Sequence, residues 1–577
     1  MKKEVLILFK THLDVGFTDL AATVKEKYLT KYIPSAIKVG YELKDTATPF
    51  IWTVGSWMIW EALKHDTDGT VEKAVRDGII TWHALPFTTH TELMSVKLFE
   101  YGLQISEKLD KRFGKKTIGA KMTDVPGHTL GMIPLMCRHG VKFMHIGVNG
   151  ATPVPPVPPL FRWKLGEDFI TVMYQGEYGL DADFGDFAVC FAHTNDNCGP
   201  QSAEEIVKVY GEIAKRCPDC TLRAATLDDV AERVAALPDV PVLEKEIGDT
   251  WIHGAGTDPK KISKYRALLR HIEENGIDAD VTDSLLCIPE HTWGLDVKTF
   301  FPNNAVYTHT ELDTVKDQRA FIESSWAEQR AYLDLAEKTL NCHLESDPVP
   351  PSLDGYTETV APVIDDFEIS WQLFDVSDYE RYKKDYMRTH IWWAIGDFTK
   401  VDLPSYKGGI YTAKPVAAYE KDGKTLVRLE FDKEITEYLG LPYFILERKK
   451  SGIELKWFGK KASRLPQACW LKFKGQTEKW EISKMGVWIK PENVIGSPFI
   501  TATDRGVRNG SVRIEPLDST LVAPYGRRLL RYGEETGNED LYFNLYNNIW
   551  NTNFPMWYSD DAIFRFNVND YSERKEK

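Results

Sequence analysis

Residues 1–245 alternate short β-prone runs with helix-length segments, and this alternation limits the fold more than any other feature of the chain. Strand candidates lie at 4–9, 49–54, 78–85, 118–124, 141–147, 168–174 and 186–192. Helical patterns occupy 20–42, 56–63, 94–113, 130–139, 203–215 and 227–236. Strands separated by helices pair in parallel, and the loops at their carboxyl ends carry the chemistry. The expectation for 1–245 is a (β/α) barrel-like catalytic domain of about seven parallel strands. PVPPVPP (153–159) is a stiff extended connection, because proline suits neither a helix interior nor a central strand.

The pattern changes after 245. KKISKYRALLRHIEENG (260–276), DADVTDSLL (278–286) and a long segment at 316–340 read as three helices, so 246–345 is expected to be a three-helix bundle contributing to the active site. SDPVPPSLDG (346–355) reads as a linker. Short alternating runs follow, among them a hairpin around Asp422-Gly423, and 346–577 is expected to form an antiparallel β domain of sandwich type. The whole is a multidomain α/β, α and β chain. At 577 residues it is too long for one core.

A net charge of −14 gives no general attraction to phosphate backbones or anionic lipid, so neither nucleic acid nor membrane is an expected partner. No run of eighteen apolar residues occurs. MKKEVLILF has the basic start of a leader, but its apolar run is short and leads straight into His12-Leu-Asp14. It reads as the first strand of a cytoplasmic protein. The eight cysteines are sparse, and Cys217-Pro-Asp-Cys220 lacks the second pair a zinc ribbon needs, so reduced thiols are expected.

His12 and Asp14 stand two apart at the end of the first strand, where a period of two points both side chains the same way. That is how a metal site starts, although a polar loop bonded to backbone fits the same pair. Asp124, in KMTDVPGHT, ends another strand candidate, and an Asx turn or helix cap is its alternative. The segment GDTWIHGAGTD offers Asp249, Trp251 and His253 in a glycine-rich loop. His291 follows the second bundle helix beside Glu290 and Trp293. His90, after the third strand, and His193, after the seventh, are candidates for hydrogen bonds to substrate.

Together these segments resemble glycoside hydrolase family 38, the zinc-dependent α-mannosidases. THLDVGFTD is similar to that family's opening His-x-Asp strand end, and KMTDVPGHT to the segment carrying its nucleophilic Asp. FIWTVGSWMIWEAL, GIITWHALPFTTHTELMS, LPQACWLKF and YNNIWNTNFPMW resemble further family segments in the same order. The resemblance implies one Zn2+ per chain, held by His12, Asp14, Asp124 and His291, with His253 as the competing ligand. It implies that Asp124 is the nucleophile and Asp249 the acid/base, with Trp251, His253, His90, His193 and Trp293 around a carbohydrate or glycoside. The family's Asp after the last His is replaced by Thr292, and HTNDN, HALPFTTH and HTWG depart from family wording, which points to a divergent substrate. The expected activity is retaining glycoside hydrolysis. A zinc-dependent carbohydrate deacetylase or lyase, or a catalytically degenerate carbohydrate-binding protein, are the rival readings. The aromatic-rich C-terminal stretch around Tyr546, Trp550, Phe554 and Trp557 leaves a homo-oligomer open.

Overall fold

The computed structural model describes residues 3–277, 279–301, 305–340, 344, 346–473, 479–496, 500–510, 512–532 and 541–570. The chain divides into two compact units. The first comprises 1–91, 96–247 and 289–292; the second comprises 92–95, 248–288 and 293–577.

The first unit is built on β1 (Glu4–His12), an apolar strand almost wholly buried. A run of Val, Leu, Ile and Phe with β propensity is stable only when both faces are covered, as in a parallel sheet. β1 pairs in parallel with β9 (Phe187–Asp196) along its whole length. Its other edge is shared by β10 (Thr221–Ala224) near the start and β2 (Trp52–Gly55) near the end. β3 (Ile80–His83) extends the sheet beyond β2, and β8 (Ala182–Asp183) closes the far side antiparallel to β9.

A second sheet has the order β11 (Val242–Leu243), β6 (Leu160–Leu165), β7 (Asp168–Gly176), β5 (Phe143–Val148), β4 (Gly119–Asp124). β4, β5 and β7 run parallel, whereas β6 is antiparallel to β7. The expected strands are thus divided between two sheets. A backbone bond from Ala84 N–H to Gly119 C=O joins the end of β3 to the start of β4. Among the described residues no ladder closes the two sheets into one barrel.

The helix expected at 20–42 is interrupted by a π-helical turn, Tyr28–Tyr32, just before Pro34. Proline has no N–H for the preceding turn, so the helix widens there. Cys217 and Cys220, expected as thiols, are paired as a disulfide in the turn after helix Ala203–Arg216.

In the second unit the helices Pro259–Asn275, Ala279–Leu286 and Lys316–Leu340 pack together, with short helices Val297–Phe300 and His309–Thr314 between the last two. Among the described residues, most of the remaining strands form two antiparallel sheets, one of ten strands and one of six. Trp371 and Leu471 from the six-stranded sheet and Leu455, Trp457 and Phe564 from the ten-stranded sheet belong to one buried cluster, as in a sandwich. The rings of Trp371 and Trp457 lie 5.9 Å apart, and Trp457 meets Phe564 at 5.1 Å. Helix Val376–Tyr386, begun by a capping box on Asp375, and helix Trp392–Phe398 are insertions that the strand pattern of this region did not announce.

Trp457 is fully buried where both sheets supply its neighbours. Trp457→Ala is expected to lower the stability of the second unit by about 3–5 kcal/mol through cavity formation. Urea unfolding followed by far-UV circular dichroism measures the change as a fall in the midpoint.

Candidate metal centre and its surroundings

β1 and β9 are in register up to Thr11–Thr194, and a bulge then sets His12 opposite Asp196. A bulge re-aims the side chain at its site. Gly16 (φ 135°) and Phe17 (φ 61°) turn the chain back after Asp14. Asn197 clamps this turn: its Oδ1 accepts the Asp14 N–H at 3.1 Å. Its Nδ2 donates to Asp14 O (3.1 Å), Gly16 O (3.1 Å) and Thr18 Oγ1 (3.0 Å).

His291 arrives on the short segment 289–292, which belongs to the first unit. Backbone bonds from His90 N–H to Pro289 O (2.7 Å) and His291 N–H to Thr88 O (3.4 Å) fasten it to the loop after β3. His12 Nε2 and His291 Nε2 then face each other at 3.1 Å. Asp14 Oδ1 lies 3.2 Å from the first and 3.0 Å from the second. Asp124, at the end of β4 with φ 80°, brings Oδ2 within 3.5 Å of His291 Nε2. All four residues are buried.

Each ligand candidate is held from behind. The His12 Nδ1–Thr123 Oγ1 contact of 2.6 Å fixes the ring when Nδ1 carries the proton, leaving the Nε2 lone pair for the cluster. His291 Nδ1 is 2.6 Å from Glu290 Oε1. Asp124 Oδ1 accepts from Tyr178 OH (2.7 Å) and Asn149 Nδ2 (2.9 Å), so its Oδ2 is the oxygen left to act. Tyr178 also stacks on the His12 ring at 4.8 Å, and its hydroxyl oxygen lies 3.1 Å from Asp196 Oδ1.

Burial opposes the charged forms, but the partners prevail. Burial works to raise Asp14, yet His12 and His291 hold it well below the usual carboxylate range. Burial works to lower His291, yet Glu290 and Asp14 push it well above the usual imidazole range. Asp196, buried and near Asp14, is raised to about 6. Asp14 Oδ2 has no hydrogen-bond partner among the described residues although it is buried. Two imidazole nitrogens and a carboxylate oxygen within one coordination radius, beside a carboxylate oxygen with no partner, fit a divalent cation. His12, Asp14 and His291 could hold a metal ion.

The remaining sequence candidates fall as follows. His90 is buried on the loop after β3. His193, on β9 opposite Lys10, packs edge-on to Tyr178 at 5.8 Å, and burial pushes it down to about 3. Asp249, Trp251, His253 and Trp293 belong to the second unit. Trp293 is fully buried, with Lys261 Nζ 3.7 Å from its ring centre and Phe554 at 5.6 Å, so it offers no open face to a sugar. Tyr178, Asn149 and Thr123 escaped the sequence reading. The signal for Tyr178 was Glu-Tyr-Gly after a strand, where φ is positive at three successive residues, Glu177, Tyr178 and Gly179.

Residues 255–367 match a family described as a domain of unknown function, DUF5054. No curated protein matches the sequence. Among solved structures, the chain is similar to an alpha-mannosidase from Enterococcus faecalis V583, with a TM-score of 0.60 and 10% identity over 98% of this chain and 87% of that one. It is also similar to a protein in glycosyl hydrolase family 38 from Enterococcus faecalis, with a TM-score of 0.55 and 10% identity over 100% of this chain and 87% of that one. Over nearly its whole length, the chain has the fold of these family 38 structures.

Proposed function

We propose that this protein is a metal-dependent retaining glycoside hydrolase, α-mannosidase-like, acting on a carbohydrate or glycoside. The observation that carries the reading is the meeting of His12 Nε2, His291 Nε2 and Asp14 Oδ1 within about 3 Å of one another, next to the Asp124 carboxylate. The likeness of fold to two family 38 structures supports the choice of substrate class.

His12, Asp14, Asp124 and His291 are the proposed ligand set, and zinc is a cation that accepts two imidazoles and two carboxylates. When bound, the metal would offer an open position for adjacent sugar hydroxyls. Tyr178 and Asn149 hold Asp124 Oδ1, which leaves Oδ2 to attack the anomeric carbon and form a glycosyl ester. Asp249 keeps the acid/base role: burial raises its carboxyl to about 7, only partly offset by Tyr386, so near neutral pH about half of the molecules carry the proton to give to the leaving oxygen. Once that oxygen has left, the Asp249 carboxylate takes a proton from the incoming water. Trp251 and His253 remain the proposed sugar contacts of the second unit, and His90 and His193 those of the first.

One zinc per chain is expected in the protein as purified, lost in Asp14→Ala together with turnover of 4-nitrophenyl α-mannoside; elemental analysis and the chromogenic assay read both from one sample. Zinc without turnover would redirect the search toward amide cleavage. Thr123→Val removes the partner of His12 Nδ1 and should weaken zinc binding about 10–100-fold in a chelator competition, since outer partners of metal ligands have effects of that size. For Asp249, the acid form falls as pH rises through about 7. The kcat/KM of the wild type should therefore decline above neutrality, and in Asp249→Asn that limb should vanish along with at least about a hundredfold of activity on substrates with poor leaving groups.

A further inference from the structure

A mostly enclosed recess of about 350 Å3 lies in the first unit at the carboxyl ends of β2 and β3. Thr11, Gly55, Met58, His83, Thr88 and Lys121 are among its walls. None of these six is a proposed metal ligand or sugar contact.

Three sources of positive charge or N–H donors meet at this space. The first is Lys121, buried on β4. Its Nζ reaches Thr11 O and Thr123 Oγ1, each at a long 3.3 Å, and it forms no ion pair among the described residues. Burial lowers it to about 8, so it still carries its proton at neutral pH. A buried ammonium with two weak neutral acceptors is short of a counter-charge.

The second is His83, which is 2% exposed and whose Nδ1 has no hydrogen-bond partner among the described residues. Burial, together with the charges of Lys121, Lys10 and Lys115, keeps this imidazole neutral. A neutral ring carries one N–H, and on Nδ1 that proton gives the unpartnered atom a bond to donate.

The third is the start of the nine-residue helix Ser56–Lys64, whose N-cap is Gly55 and which no side chain caps. Ser56 N–H is taken by Leu85 O at 3.1 Å. The next N–H groups of a first turn face out of the helix end, and here Gly55 and Met58 line the recess at that end. A helix N-terminus carries partial positive charge and receives anions.

An ammonium, an imidazole donor and a helix N-terminus around one space describe a site for negative charge. One full positive charge calls for a single negative one, and the apolar walls Val54 and Phe87 suit a weakly hydrated ion better than a dianion. We propose that the recess binds a monovalent halide, chloride in the first instance, between Lys121 Nζ, His83 Nδ1 and the N-terminus of helix Ser56–Lys64. Lys121 also touches Thr123, the partner of His12 Nδ1, so the ion steadies the anchor of the metal cluster without touching it. The site depends neither on the carbohydrate reading nor on a bound metal.

The test uses the full-length protein treated with EDTA, so that no metal offers the halide a ligand position. Crystals soaked in sodium bromide should show an anomalous-scattering peak in contact with Lys121 Nζ and His83 Nδ1. In solution, sodium chloride is exchanged for sodium gluconate at fixed ionic strength, and the thermal midpoint should rise with chloride and then saturate. In Lys121→Met that response should move to at least about tenfold higher chloride, the effect of one lost charge-assisted hydrogen bond. Thermal unfolding in gluconate verifies that the variant folds; if it does not, the wild-type bromide map decides alone. A recess that holds water only, a midpoint indifferent to chloride against gluconate, or an unchanged response in Lys121→Met would each overturn the proposal.

Discussion

Two imidazole nitrogens held 3.1 Å apart, with a carboxylate oxygen about 3 Å from each, are the constraint around which the first unit is arranged. Such a group is unstable on its own. In a buried setting, charges and lone pairs interact far more strongly than in water, and every unpaired group incurs a desolvation cost. His291 is held by the loop after β3, and the other three residues are each anchored from a different part of the sheets. Asn197 after β9 secures the Asp14 turn, Thr123 on β4 orients His12, and Asn149 after β5 together with Tyr178 after β7 fixes Asp124. The parallel arrangement of β1, β9, β4, β5 and β7 within their sheets explains how residues so far apart in sequence serve one cluster: their carboxyl ends lie on the same side of each sheet.

Part of the backbone strain falls on the same map. Phe17, Asp124, Glu177, Tyr178 and Asn197 have positive φ in the first unit and Asp249 and Trp251 in the second, at or near groups of the proposed chemistry, while Asp239, Asp402, Asp422, Met485 and Leu530 have positive φ elsewhere. A β-carbon in the left-handed region is unfavourable, so these conformations persist only because side-chain bonds and packing fix them. Tyr178 illustrates the exchange: its ring gains a stacked contact with His12 and its hydroxyl two carboxylate partners.

Much of this was legible in the sequence because it rests on local pattern. All seven strand candidates correspond to observed strands, and His12, Asp14 and His291 meet as the His-x-Asp spacing and the family resemblance implied. β6, β8, β10 and β11 were missed because they are short or antiparallel additions whose residues lack a continuous apolar run. The division into two sheets depends on which edges meet, and periodicity carries no information about that. Tyr178, Asn149 and Thr123 were missed for a different reason. Each is an ordinary residue whose importance arises only from the group it touches, 25 to 111 positions away. Trp293 shows the converse: aromatic and close in sequence to His291, it is enclosed by Lys261 and Phe554.

The electrostatics of the first unit bear on whether its cluster could hold a cation. Asp14, Asp124, Asp196 and Glu290 bring four carboxyl groups into a buried space. The lysines behind them are poor counter-ions. Burial holds Lys10 well below its ordinary value and lowers Lys121 to about 8, even with Asp14 working to raise it. Lys121 directs its Nζ toward Thr11 O and Thr123 Oγ1, each at 3.3 Å, and so supports the His12 anchor instead of pairing with a carboxylate. The group that does take up positive charge is His291, set between Glu290 and Asp14. An imidazolium there supplies one charge but turns an N–H donor toward His12 Nε2, which then must accept, while Asp14 Oδ2 stays unpaired. A divalent cation held by His12, His291 and Asp14 would supply twice the charge of an imidazolium and relieve the opposition between the two rings.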